Sequence, residues 1–240
     1  MPARSCETTA TGGRVTWRAG IPAFRTQRYE DAGMNVVSVI CEGSSEVNYI
    51  VRLKAYLAEL DLAWMMDTLL IPINAGSGNF HVIEQRIRAE RKRQRHGNFM
   101  TWVDYDIYRR NDNRCLDAYL RRRKDVGAFY FSFHNFEDFL ALHFDDVRYG
   151  RYCEVVAKAG HVDMPLHGAE YGGLFDPIYL DFTGEPYRKG MLSYGFVGKE
   201  GLENLIRHMK NRAIGPVGES EYGDFAMWLV EFLERHSPNF

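Results

Sequence analysis

The chain has 240 residues, 45% of them hydrophobic, with 30 Lys and Arg against 32 Asp and Glu and a net charge of −2. That length and apolar content can bury a sizeable core, which excludes a disordered chain and fits one large domain with room for a smaller addition. The near-neutral balance gives no global attraction to nucleic acid, and no apolar run approaches the roughly 18 residues that suggest a membrane span.

Cys6, Cys41, Cys115 and Cys153 are far apart and form neither a CxxC pair nor a small disulfide framework, and no segment reads as a signal peptide. A reducing cytoplasm is the expected setting. Residues 1–34 carry Thr, Gly, Arg and Pro22 without a sustained period, and read as an N-terminal arm.

From Val36 the pattern changes to short branched or aromatic runs alternating with amphipathic, charged stretches, which predicts an α/β fold with a parallel sheet flanked by helices. The first strand is predicted over Val36 to Cys41, followed by a helix from Ser44 to Leu60 with Ser44 and Ser45 placed to cap it. Val47, Ile50, Val51, Leu53, Leu57 and Leu60 supply its apolar stripe. A second strand, Leu69 to Ile73, leads through NAGSGN into a helix from Phe80 to Arg95, and a third, Phe99 to Val103, ends at VDYD. A helix over Asn113 to Lys124, a fourth strand over Ala128 to Phe133 and a helix over Phe136 to Phe144 complete a domain spanning 35–145. Beyond it, residues 146–240 read as a smaller, mostly helical region for partner docking, with helices near Lys199 to Ala213 and Tyr222 to Arg235.

In open α/β sheets ligands bind outside the carboxyl ends of the strands. Glu42 follows the first strand, Glu46 lies one helical turn on, Asp104 and Asp106 follow the third strand, and Glu137 opens the helix after the fourth. Five such carboxylates resist ionisation together unless a cation compensates them. Hard oxygen ligands suit Mg²⁺ or Mn²⁺, and a pair of such ions can orient an attacking water and stabilise the leaving oxygen of a phosphodiester. Zinc-type His and Cys spacing is missing around these acids.

VICEGSSEVNYI, WVDYD and NFEDFLALHF resemble the EG, DxD and FExxLxLHF elements of small Toprim-domain proteins, especially the RloB-like group. They are also similar to the nuclease domain of overcoming-lysogenization-defect (OLD) proteins and to the toxin of the PARIS antiphage system. The resemblance covers Val36 to Asp145. It implies that Glu42 is the Toprim acid, Asp104 and Asp106 the DxD pair, Glu46 the extra acid of OLD-type nucleases and Glu137 their later ligand. It also implies a metal-dependent nuclease acting on RNA, tRNA included, or DNA as the effector of an abortive-infection system, with a partner ATPase as sensor or scaffold. Homodimerisation after release is a further expectation. Gly43 corresponds to the glycine of EG, where a missing side chain permits a tight turn and close approach of a phosphate.

Other features carry competing readings. NAGSGN can present amides to a phosphate or serve as an ordinary loop, and it lacks the GxxxxGK[ST] of an ATP-binding P-loop. Arg86 to His96 and Arg121 to Lys124 can hold a nucleic-acid backbone near the rim or form a solvated face. His134 and His143 read as structural rather than as proton-transfer groups. Two rival functions remain: a haloacid-dehalogenase-like phosphatase, because DYDIY resembles an aspartyl nucleophile at Asp104 with a general acid two residues later, and a binding module without catalysis.

Overall fold

The computed structural model describes residues 35–60, 68–93, 98–110, 114–132, 135–159, 168–211 and 223–236. The expected N-terminal arm, Cys6, His134 and the end of the basic run at 94–96 lie outside them. The chain divides into Met1–Gly33 and Met34–Phe240, and all described residues belong to the second unit.

Five strands form one parallel sheet: β1 (Asn35–Cys41), β2 (Thr68–Asn74), β3 (Asn98–Asp104), β4 (Ala128–Ser132) and β5 (Gly223–Asp224), in the spatial order β2-β1-β3-β4-β5. The helices are α1 (Ser44–Glu59), α2 (Phe80–Arg93), α3 (Tyr105–Arg110), α4 (Arg114–Val126), α5 (Phe136–Ala141), α6 (Asp146–Lys158), α7 (Gly168–Thr183), α8 (Lys199–Asn211) and α9 (Phe225–His236). The expected α/β architecture is thus present, with a helical C-terminal region.

The strands read as near-continuous apolar runs because both faces are covered. Val39, Cys41, Met100 and Trp102 face a core shared with α1, α5 and the C-terminal helices, whereas Ile40, Val103, Phe129 and Phe131 face α2 and α4. Pro72, which lacks an amide to donate, is tolerated because β2 is an edge strand.

On α1 the buried face is Tyr49, Ile50, Leu53 and Leu57, while Val51 is 48% and Leu60 39% exposed, so the helix is turned slightly from the predicted stripe. Tyr49 explains the turn. Its hydroxyl lies 2.8 Å from Nε2 of buried His143, whose Nδ1 lies 3.2 Å from the carbonyl of Leu140. That carbonyl only accepts, so Nδ1 carries the proton and Nε2 accepts from Tyr49. Burial holds the imidazole down to about 3, which keeps it neutral and makes it structural.

The C-terminal region shares the first core. Phe225 stacks on Trp102 with ring centroids 3.6 Å apart, and the indole donates to Ser132 Oγ at 2.9 Å, so the start of α9 is fixed over the centre of the sheet. Helices α6 and α7 fall where the sequence shows no clear period. Asp145 caps α6 by accepting from the Arg148 amide at 2.9 Å, and Tyr152 is its one buried residue among those described. Gly172, Gly173 and Pro177 argue against α7, but buried Tyr171, Phe175, Ile178 and Tyr179 line one helical face and outweigh that propensity.

Tyr49→Phe leaves the packing intact but strands the His143 acceptor in the core. We expect a loss of about 1–3 kcal/mol in chemical denaturation, and an unchanged midpoint would refute the assigned hydrogen bond.

Candidate active site at the carboxyl edge of the sheet

From β1 the chain crosses to β2 by way of α1 on one face, then passes to β3 on the other side of β1 by way of α2 on the opposite face. The reversal opens a crevice between the carboxyl ends of β1 and β3, the place where such sheets bind ligands. Cys41 pairs with Trp102, so the two chains leave the sheet together at Glu42 and Asp104. The Glu42 amide donates to the Trp102 carbonyl at 3.1 Å, and the Asp104 amide donates to Glu42 Oε2 at 3.0 Å. Residues separated by sixty-two positions are thus joined through one hydrogen bond.

Gly43, not Ser44 or Ser45, occupies the N-cap of α1, and no side chain of its own caps the helix. Glu46 folds back instead, and its Oε2 accepts the Gly43 amide at 3.0 Å. One oxygen of Glu46 therefore caps the helix, and its second oxygen is left for other chemistry. Asp106 sits in the first turn of α3. Glu137 is buried in the first turn of α5, whose N-cap Asn135 accepts the Asp138 amide at 2.9 Å. All five sequence-predicted acids are brought within electrostatic reach of one another.

Their acidities record the crowding. Burial, then repulsion by Glu46, pushes Glu42 up to about 8, although the Asp104 amide and Lys189 pull it back. Burial raises Glu46 to about 7, with Gly43 and Lys189 opposing and Glu137 adding to the rise. Burial and the charges of Glu42, Glu46, Asp106 and Glu137 raise Asp104 well above the usual range. Glu137 is raised by burial and by Asp106. Asp104 Oδ1 is buried without a hydrogen-bond partner, an orphaned acceptor facing no donor.

Two contributors escaped the sequence reading. After α7, a turn closed by the Arg188–Met191 bridge carries Tyr187 and Lys189 to the acids. The Tyr187 hydroxyl donates to Glu137 Oε1 at 3.1 Å, and its amide donates to Asp176 Oδ1 at 2.6 Å. Lys189 lowers Glu42, Glu46 and Glu137 by its charge. The turn lies against α1, where the Leu192 amide donates to Asn48 Oδ1 at 3.0 Å and a Cβ on Gly190 would meet Ser44 Oγ at 2.7 Å. Gly190 also has φ +80°, so glycine is required there twice over. No local motif announces this turn; the only signal was that five carboxylates need a counter-charge.

Amides in and beside the NAGSGN loop are spent within the fold, and that of Ala75 donates to the Cys41 carbonyl at 2.9 Å. Asn74 Oδ1 accepts from Gly76, Ser77 Oγ from Asn79, and Asn79 Oδ1 from His81, so these donors do not face a phosphate. What the loop supplies is Gly78, where a Cβ would stand 2.6 Å from Glu42 Cδ and 2.8 Å from Ile107 Cδ1.

The basic runs are not at this rim. Helices α2 and α4 start beside strand carboxyl ends and finish just before the amino ends of β3 and β4, so Arg91 to Arg93 and Arg121 to Lys124 lie toward the opposite edge. Seven-residue strands put that edge about 20 Å away.

The donor set suits a hard divalent cation by its chemistry, by the raised proton affinity of its crowded carboxylates and by the orphaned Asp104 oxygen. Among the described residues, however, no three His, Cys, Asp or Glu side chains already stand in ligating geometry. Glu42, Asp104 and Asp106, with the second oxygen of Glu46 and Glu137, are the residues that would hold the ion after local side-chain adjustment.

Two predictions follow from the crowding. In the folded chain Glu42 and Glu46 bind protons up to about 8 and 7, against 4.5 for a free glutamate, so the folded state holds more protons than the unfolded one in that window. In EDTA the stability these groups contribute should therefore be fully present below about pH 4.5 and be lost as pH rises from there through 7 and 8. Glu42→Gln should flatten that decline in thermal melts; a wild-type melting temperature that does not fall across the window refutes the electrostatic picture. Separately, Gly78→Ala should displace the Glu42 carboxylate and weaken Mn²⁺ binding about tenfold by calorimetry with the fold retained; unchanged affinity would remove Glu42 from the site. Comparison with protein-family models, with curated proteins and with solved structures finds no match for this chain.

Proposed function

We propose that the chain is a divalent-metal-dependent nuclease of the Toprim type, hydrolysing phosphodiester bonds at the carboxyl ends of β1 and β3. The observation that carries this reading is the meeting of Glu42 and Asp104 across the crevice, joined by the Asp104 amide and ringed by Glu46, Asp106 and Glu137. Mg²⁺ or Mn²⁺, when bound, would supply positive charge for the scissile phosphate and acidity for an attacking water.

The chain's own residues do the rest. Glu42, Asp104 and Asp106 would hold the ion, with Glu46 and Glu137 extending the set. Gly78 leaves room for the Glu42 carboxylate, and the Gly43 amide fixes Glu46. The Tyr187 hydroxyl orients Glu137, and Lys189 supplies a positive charge that a phosphate would otherwise lack at an acidic rim. The substrate is RNA, tRNA included, or DNA. The sequence resemblance supports a role as the effector of an antiphage abortive-infection system in the cytoplasm, held by an ATPase partner and dimerising after release.

Purified protein should cleave labelled RNA or DNA in Mg²⁺ or Mn²⁺ and not in EDTA. Glu42→Gln and Asp104→Asn should each lose about a hundredfold or more in rate with unchanged circular dichroism. Full activity in both variants would overturn the assignment, and a trapped phosphoryl group on Asp104 would replace it with the phosphatase reading.

A further inference from the structure

Helices α2 and α4 pack side by side on one face of the sheet and carry ten cations against four carboxylates, in a chain whose net charge is −2. We propose that the α2/α4 face is a second nucleic-acid surface, remote from the acid cluster, that holds a polynucleotide by its phosphate backbone.

The carboxylates on this face are already shared. Glu84 is ion-paired with Arg88 at 2.8 Å and with Arg122 at 2.9 Å, and Glu90 with Arg86 at 3.3 Å and Arg93 at 3.1 Å. Glu84 and Glu90 thus each meet two guanidiniums, Asp125 meets Arg122, and the ten cations still outnumber the four carboxylates. The Arg122–Glu84 pair and the bond from Arg91 to the Asp125 carbonyl tie the two helices together, so the cations sit on a rigid support. Arg91, Lys92, Arg93, Arg121, Arg123 and Lys124 are exposed in the last turns of their helices, where positive charge also complements the helix dipoles.

The chemistry selects the partner. Protein interfaces have an apolar core with charge at the rim, yet the one large exposed hydrophobic residue on α2 and α4 among the described residues is Val82, in the first turn of α2. A dense, regular array of cations with no apolar centre suits a polymer of evenly spaced anions. Such contacts grip any sequence and weaken as salt rises, because binding releases condensed counterions. The acid rim repels the same polymer, so attraction has to come from elsewhere on the molecule. Because α2 and α4 begin at the rim and end at the far edge, a strand held on this face lies on a route toward the crevice.

The surface extends the nuclease reading without depending on it, so binding is measured in EDTA, where no cutting occurs. Anisotropy of labelled single-stranded and duplex oligonucleotides over a KCl series should show affinity falling linearly with salt on logarithmic axes. The triple variant Lys92→Glu, Arg121→Glu, Lys124→Glu should bind at least about tenfold more weakly at low salt, with the slope reduced by about three. The triple Gln variant should fall between. Failure of the wild type to bind, or wild-type binding by the folded triple Glu variant, would overturn the proposal. So would equal competition by poly-glutamate at matched charge, which would identify an acidic protein as the partner. Binding in EDTA without cutting in Mg²⁺ would refute the nuclease reading alone.

Discussion

Carboxylates gathered at the ends of β1 and β3 repel one another and lose their hydration together, and much of the surrounding structure acts to offset that cost. The Asp104 amide accommodates one oxygen of Glu42, the Gly43 amide one of Glu46, and the Tyr187 hydroxyl one of Glu137. Lys189 adds charge without a close pair to any of them among the described ion pairs. These offsets are partial, since Glu42, Glu46, Asp104 and Glu137 all remain raised. What is left is either protonation or a cation, and the two alternatives compete for the same oxygens.

Holding such a cluster together requires a support that does not relax. The two-sided core provides it: β1 and β3 are buried on both faces, and the register Cys41 to Trp102 fixes where each chain leaves the sheet. Trp102 is a junction between site and support, since it precedes Asp104 by two residues, bonds to Ser132 and is stacked by Phe225 from α9. The C-terminal helices are therefore not spectators of the crevice. Through α7 they place Tyr187 and Lys189 at the rim, and through α9 they clamp the strand that carries Asp104.

The alternation of apolar runs with amphipathic stretches made β1 to β4 and helices α1, α2 and α4 legible, because each of those elements buries a regular face, whereas the six-residue α3 was not read. The acids were legible for the same reason: Glu42, Asp104 and Glu137 each stand where such a run stops. What could not be read was decided by tertiary contact. Helix α7 survives Gly172, Gly173 and Pro177 because four aromatic or aliphatic residues are buried along it, and α6 has too few buried residues to leave a period. Strand β5 is two residues long and exists only by pairing with Tyr130 and Phe131. Lys189 lies more than fifty residues from every one of the acids, and nothing in its own neighbourhood distinguishes it from a surface lysine. The basic runs illustrate the reverse case: their charge was plain, but only the direction of α2 and α4 relative to the strands places them away from the rim.

That separation of charge has a mechanical consequence. On the proposed reading, a rim of crowded carboxylates is a poor landing place for a phosphate, whereas the basic far edge about 20 Å distant is a good one. On that reading encounter and chemistry would be governed by different terms: long-range attraction by the α2 and α4 cations, which salt screens, and short-range compensation at Glu42 and Asp104, which would depend on a divalent ion and on Lys189. A polyanion that reaches the crevice before the acids are compensated meets repulsion from Asp104 and Glu42. One that arrives after compensation meets a net attractive site. On the proposed reading, access to the crevice would thus depend on the charge state of the same carboxylates that would hold the ion.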